Sequence, residues 1–349
     1  MKQPRILILD GITLWPLGVQ FFHALKELYN ETYYLGHKDF DKKIFYNLRR
    51  MFSKMRGDKP KAYVHPKLIF SQVKEKIGAI RPTIIVVIGF SHNLIHTNDL
   101  YELKKKFGFQ LVLWDTDSVN YGQTIQSFDE YVKHELMRYD KVFSFSLEVV
   151  RYMNLLNVIP FEYLHFGGIV HNNIQQPKKD IDLCFAGHAS VRRIFLLSGI
   201  KNEELCIIGE RWKRCGKILP EKIKSSCVYR DCLDEELYKI LFRSKIILNI
   251  TGPYFFSIYS GIALRVFEAL GLGGFLLTDD FPEIHNLFVA GKEIETYSNH
   301  EEFIDKVAFY SQHDDARNKI AAAGHERFIN NYTWGHQAKK MLDLLGVEY

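Results

Sequence analysis

The sequence predicts an α/β protein built as two doubly wound halves. Three observations predict it. Apolar, β-branched runs such as 83–88 (TIIVVI) and 245–250 (KIILNI) show no alternation, which marks strands of parallel sheets covered on both faces. These runs alternate with stretches of helical spacing, as right-handed crossovers require. The series stops at a polar, glycine-containing stretch, 165–179 (HFGGIVHNNIQQPKK), and then begins again. A chain of 349 residues, 47% hydrophobic and 25% charged, is long enough for two such cores and excludes disordered or low-complexity classes.

In the first half, residues 6–9 form a short apolar strand ending at Asp10-Gly11. Residues 17–29 place Leu17, Phe21, Ala24, Leu25 and Leu28 on one helical face. A strand follows at 32–35, then a helix at 71–80 stopped by Arg81-Pro82. Strands at 83–88, 110–114, 141–144 and 161–164 are separated by helices at 98–107, 127–138 and 146–156. In the second half, strands are expected at 181–185, 206–208, 245–250 and 275–278. Helices are expected at 190–199, 235–243, 263–270, 301–313, 315–331 and 334–345. The boundaries follow: a first domain at 1–166, a linker at 167–179, a second domain at 180–332 and a final helical segment at 333–349.

No apolar run reaches the ~18 residues that mark a membrane span. The apolar stretch after Met1 is too short for a signal peptide and reads as a strand. Cys184, Cys206, Cys215, Cys227 and Cys232 are odd in number and contain no C-x-x-C pair. Reduced thiols, a cytoplasmic setting and no metal centre are expected. The net charge of +5 is uneven: residues 41–62 carry eight cations and two acids, or +6, leaving −1 for the rest. That segment also spaces Ile44, Phe45, Leu48, Met51, Phe52 and Met55 at three and four residues, as an amphipathic helix does. Arg49, Arg50, Lys54 and Arg56 would then offer an acceptor- or membrane-facing surface, with peripheral contact at the inner face of the membrane.

In open α/β sheets, ligands bind beyond the carboxyl ends of strands. Here those ends carry Asp10-Gly11, Gly89-Phe90, Asp115-Thr116-Asp117, Gly187-His188 and Gly252. The most informative stretch is 249–302. It predicts a strand, a loop and a helix beginning near Ser260-Gly261, whose free amides would favour an anion such as a diphosphate. Gly261 allows close backbone approach. Arg265 would add a charge-assisted contact, and Glu268, one turn on, could accept two hydrogen bonds from a ribose diol. Tyr254, Phe255, Phe256 and Tyr259 precede that helix and could stack on a ring. His188 is placed to touch a sugar or phosphate, and His165 falls at the crossing between halves. Asp115-Thr116-Asp117 also has the spacing of a metal-binding D-x-D motif, although no metal is expected there.

Several of these segments together resemble a known family. RVFEALGLGGFLLTDD, GKEIETYSNHEEFIDKV and ARNKIAAAGHERFINNYTW resemble the C-terminal half of the CgeB-like (spore-maturation) glycosyltransferases, relatives of the group 1 glycosyltransferases. DIDLCFAGHASVRR and SKIILNI fit as well, and QLVLWDTDS and YLHFGG match more loosely. The resemblance implies the GT-B fold: two Rossmann-like domains facing across a cleft, the acceptor on the first, the nucleotide-sugar on the second, and a last helix crossing back to the first. It implies metal-independent transfer with no cofactor besides the donor substrate. Glu268 matches the carboxylate that holds the donor ribose; Ser260, Gly261 and Ile262 match the diphosphate-binding helix start. Arg193, with Arg192 as its neighbour, resembles the residue that neutralises the donor phosphates. Gly187, His188, Tyr259 and Arg265 complete the expected donor set. The sequence departs from the E-x7-E pattern of group 1 enzymes, whose first glutamate contacts the donor sugar: Ser260 stands eight residues before Glu268.

The expectation is therefore a glycosyltransferase moving a sugar to a glycan, lipid-linked or other acceptor. Transfer with inversion needs a base at the acceptor hydroxyl. Asp115, Asp117 and His92 are its first candidates, with Asp10 and His96 beside them. Two alternatives are a non-catalytic two-lobed nucleotide- or sugar-binding protein, and a glycosyltransferase acting on nucleic acid; under the main reading nucleic acid is not a partner.

Overall fold

The computed structural model describes residues 3–11, 17–41, 68–89, 95–116, 125–171 and 178–349. The chain divides into two compact units, Met1–His165 with Gln337–Tyr349, and Phe166–His336.

The first unit holds a six-stranded parallel sheet: β1 (Ile6–Asp10), β2 (Thr32–Leu35), β3 (Ile84–Ile88), β4 (Gln110–Asp115), β5 (Lys141–Ser144) and β6 (Phe161–Tyr163), in the order β2-β1-β3-β4-β5-β6. Its described helices are α1 (Leu17–Leu28), α2 (Phe70–Ile80), α3 (Thr97–Phe107), α4 (Ile125–His134) and α5 (Leu147–Leu156). Every residue of β1 and β3 is buried, which is why 6–9 and 84–88 read as unbroken apolar runs. Leu7, Leu9, Ile85, Val87, Leu111 and Leu113 share one core with Val73 and Ile77 of α2 and Leu100 and Leu103 of α3. Each such side chain contributes about 1.5–3 kcal/mol on leaving water. Helix ends follow local chemistry. Arg81 closes α2 in the left-handed conformation (φ 49°) just before Pro82, and the Ser146 hydroxyl accepts the Val149 amide at 3.3 Å to start α5.

The second unit holds β7 (Ile181–Ala186), β8 (Leu205–Ile208), β9 (Cys227–Val228), β10 (Ser244–Asn249), β11 (Leu276–Asp279) and β12 (Glu295–Tyr297), in the order β12-β11-β10-β7-β8-β9. Counted from its own first strand this is 3-2-1-4-5-6 read from the β9 edge, the dinucleotide-binding order. Its helices are α6 (Val191–Ser198), α7 (Glu221–Ser226), α8 (Asp234–Arg243), α9 (Pro253–Ser257), α10 (Leu264–Gly271), α11 (Pro282–Leu287), α12 (His300–Gln312) and α13 (Asp314–Asn331). A last helix, α14 (Trp334–Leu345), begins in this unit and continues into the first from Gln337.

The stretch 167–171, expected as linker, packs on the second unit. Gly168 bridges Thr333, and a Cβ at 168 would stand 3.1 Å from the Phe267 carbonyl. Residues 172–177 of that linker lie outside the described residues, as do 42–67, most of the expected basic helix with Arg49, Arg50, Lys54 and Arg56. All five cysteines are free thiols. No helix among the described residues is long and apolar enough to cross a membrane.

Candidate active site

In the second unit the chain leaves β7 for β8 on one side and returns through β10 on the other, so the carboxyl ends of β7 and β10 flank the crevice where ligands bind in such sheets. One lip is Gly187–Ser190 and the other is Ile250–Gly252. Arg193 joins them. Its Nε and Nη2 donate to the Ile250 carbonyl at 2.9 and 2.7 Å, and its Nη1 donates to the His188 carbonyl at 2.7 Å. The guanidinium lies 5.1 Å from the Phe185 ring centre, and burial pushes its pKa down to about 10. The residue expected to neutralise donor phosphates is thus engaged in holding the two lips together.

Arg192 is committed as well. It pairs with the buried Asp279 at the end of β11 and stacks 3.7 Å from the Phe256 ring centre. Asp279 also accepts the Thr251 amide at 2.6 Å. Burial, reinforced by the Asp279 charge, raises the Tyr297 phenol well above its ordinary pKa.

The expected helix start at Ser260-Gly261 lies elsewhere. Helix α10 begins at Leu264 with Ala263 as its cap, and Ser260–Ile262 form a loop. The cause is a carboxylate from another helix. Glu283 of α11, only 4% exposed, accepts the Ser260 hydroxyl and the Gly261 amide, each at 2.7 Å. Gly261 has φ 94°, a conformation that a side chain would strain. An anion can therefore use the Gly261 amide only by displacing Glu283. Ile262 is buried and adds packing at this loop.

Arg265 and Glu268 do meet, at 2.7 Å between Nη1 and Oε2, with side chains 10% and 11% exposed. Arg265 Nε is buried without a hydrogen-bond partner among the described residues. A buried pair with a donor to spare is suited to a polar ligand at the first turn of α10. Tyr259 is half exposed at φ 51°, with its ring centre 5.6 Å from those of Phe256 and Phe281. His188 Nδ1 is buried without a partner; burial first, then Arg211, pushes its pKa down, so the ring is neutral at pH 7.

In the first unit, Asp10 closes β1, 2% exposed, and accepts the Tyr34 hydroxyl at 2.8 Å. Burial, with Asp10 beside it, raises the Tyr34 pKa. A Cβ at Gly18 would fall 2.1 Å from Asp10 Oδ2, so the carboxylate packs directly on the first turn of α1, where the helix dipole favours it. Asp115 is buried at the end of β4. Asp117 and His92 lie outside the described residues. His96 caps α3, and His165, 5% exposed, faces Gln337 of α14 at 3.5 Å. No cluster of three or more metal-ligating side chains occurs among the described residues.

Sequence reasoning missed Asp279 and Glu283, the carboxylates that engage Arg192 and the Ser260–Gly261 loop. The signal for Asp279 was its place at the end of an apolar strand; Glu283 carried none.

Known structures share this architecture across nearly the whole chain. Sucrose-phosphate synthase from Thermosynechococcus elongatus superposes with a TM-score of 0.67 at 11% identity, covering 98% of each chain. HepE from Anabaena, in complex with UDP-glucose, gives 0.68 at 10% identity over 99% of this chain and 100% of its own. The fold is GT-B. A glycosyltransferase from Rickettsia africae gives 0.65 at 13% identity over 99% and 98%. Within this GT-B chain, residues 192–343 match the family described as glycosyl transferase-like, from Arg192 in α6 to Asp343 in α14. No curated protein matches the sequence.

Proposed function

We propose that this chain is a glycosyltransferase that takes its sugar from a nucleoside diphosphate donor and works without a metal. The observation that carries the reading is the buried Arg265–Glu268 pair on α10, inside the glycosyl transferase-like segment, with the arginine Nε outside that pair and unspent. Glu268 would accept the ribose hydroxyls, and half-exposed Tyr259 would cover a ring. HepE, similar in fold, has been solved with UDP and with UDP-glucose, which supports a nucleotide-sugar as the donor class. By this reading the chain belongs among the group 1 glycosyltransferases, with the CgeB-like subgroup as the finer placement.

In the reaction, the acceptor oxygen bonds to the anomeric carbon, the bond to the donor diphosphate breaks, and the acceptor proton passes to a base. Charge on the departing diphosphate needs fixed donors. Asp10, at the crevice between β1 and β3 of the first unit, is the described carboxylate best placed by topology to be the base, with Asp115 as the neighbouring candidate. The acceptor is a glycan or lipid-linked molecule on the first unit, in the cytoplasm, with segment 41–62 at the inner membrane face.

Thermal-shift and hydrolysis measurements against UDP-, GDP-, ADP- and CMP-sugars test this. One donor is expected to raise the unfolding temperature saturably and to be hydrolysed slowly. Stabilisation without hydrolysis or transfer would favour a binding protein, and no response to any donor would overturn the reading.

A further inference from the structure

A departing diphosphate needs uncommitted positive charge, and the arginines expected to supply it are taken. Arg192 is paired with Asp279, Arg193 with two backbone carbonyls, and Arg265 with Glu268. The turn after β8 offers what remains. Residues 211–217 read RWKRCGK and place Arg211, Lys213, Arg214 and Lys217 within seven residues, all exposed. Neither Arg211 nor Arg214 is in an ion pair among the described residues, in contrast to Arg192 and Arg265.

The turn is fixed against the β7 lip. Trp212, fully buried, donates its indole N–H to the Gly187 carbonyl at 2.9 Å. Gly209 makes this approach possible: a Cβ there would stand 2.5 Å from the same carbonyl. The entry to the turn is tied by the Glu210 amide, which donates to Asp231 at 2.9 Å. Arg211 and Arg214 thus flank a buried anchor that holds them beside His188, the residue that follows Gly187. Burial lowers the His188 pKa first, and the charges of Arg211, Arg193 and Arg214 add to that against Asp231.

We propose that Arg211 and Arg214, with His188, form a phosphate-binding site on the β7 lip that receives the diphosphate of the donor. The proposal rests on the nucleotide-sugar reading. Guanidinium groups suit it because they meet phosphate oxygens with two parallel N–H donors. The site requires no displacement of Glu283 from the Gly261 amide and no release of Arg193 from its carbonyls.

The test is calorimetry of the full chain with inorganic pyrophosphate and with UDP, for wild type, R211A/R214A and R211K/R214K. Both positions are exposed, so the unfolding temperature is expected to stay put, and circular dichroism checks it. Wild type is expected to bind pyrophosphate. The alanine pair is expected to lose at least ~10-fold and to show a weaker salt dependence, with the lysine pair recovering part of the loss, because it restores charge without the fork. Pyrophosphate binding lost in the alanine pair supports the site even if no nucleotide binds, so this inference and the donor reading fail separately. Equal binding by wild type and the alanine pair, or no pyrophosphate binding by wild type, overturns it.

Discussion

The two sheets end their first strands in opposite chemistry. In the first unit, β1 runs into Asp10, a buried carboxylate seated on the first turn of α1 and bonded to the Tyr34 hydroxyl. In the second, β7 runs into Gly187 and His188, whose carbonyls accept Trp212 and Arg193, the former between Arg211 and Arg214 in sequence. Both positions lie at the reversal of strand order, where sheets of this class bind ligands. One topology thus offers an acidic crevice and a basic one. The difference lies in which side chains each loop admits. Gly18 makes room for a carboxylate, whereas Gly209 brings a cationic turn close.

The sharpest way to break the comparison is Asp10→Asn. If Asp10 is the base, transfer falls by about 10²–10⁴ while the fold persists, because the amide oxygen still accepts the Tyr34 proton. An unchanged kcat would move the role to Asp115. On the basic side, Glu268→Ala is expected to abolish donor use and also to cost about 3–5 kcal/mol, since Arg265 would be left buried and unpaired. The sequence alone anticipates lost donor use with an intact fold; the buried ion pair changes that expectation. Glu268→Gln separates the effects, and denaturant unfolding beside donor titration would measure both. Gly18→Ala is expected to destabilise by about 1–3 kcal/mol through its overlap with Asp10 Oδ2; a neutral result in urea would show that the carboxylate can move aside.

The smallest effect lies away from both crevices. Lys306 bonds Glu302 at 2.7 Å and, chiefly through that bond, holds its carboxyl below the ordinary 4.5. A depressed carboxyl pKa contributes stability above 4.5 that is lost as pH falls through the folded value. Glu302→Gln is therefore expected to cost about 0.2–1 kcal/mol at pH 7, given the pair's partial exposure, and nothing in strong acid. A loss independent of pH would assign the effect to packing instead.

Much of the fold was legible because buried parallel strands write themselves as apolar runs. The strands at 84–88 and 244–249 lie within a residue of expectation. Strand β12 (Glu295–Tyr297) was invisible for the opposite reason. It buries polar residues, and the side-chain partners of Glu295, Lys306 and Tyr310, lie eleven and fifteen residues along. The candidate site was legible as residue types, not as partners. Arg265 and Glu268 were readable because helical spacing brings them together. Arg192, Arg193 and Gly261 were not, because Asp279, the carbonyls of His188 and Ile250, and Glu283 reach them through tertiary folding. No local pattern encodes a contact of that kind.

The Arg193 bridge carries a dynamic consequence. A single guanidinium spans the crevice and bonds both rims, so neither rim can lift away without breaking bonds to the other. Amide exchange at 187–190 and at 250–252 would then proceed at one shared opening rate. A molecule settling against either rim would quiet both.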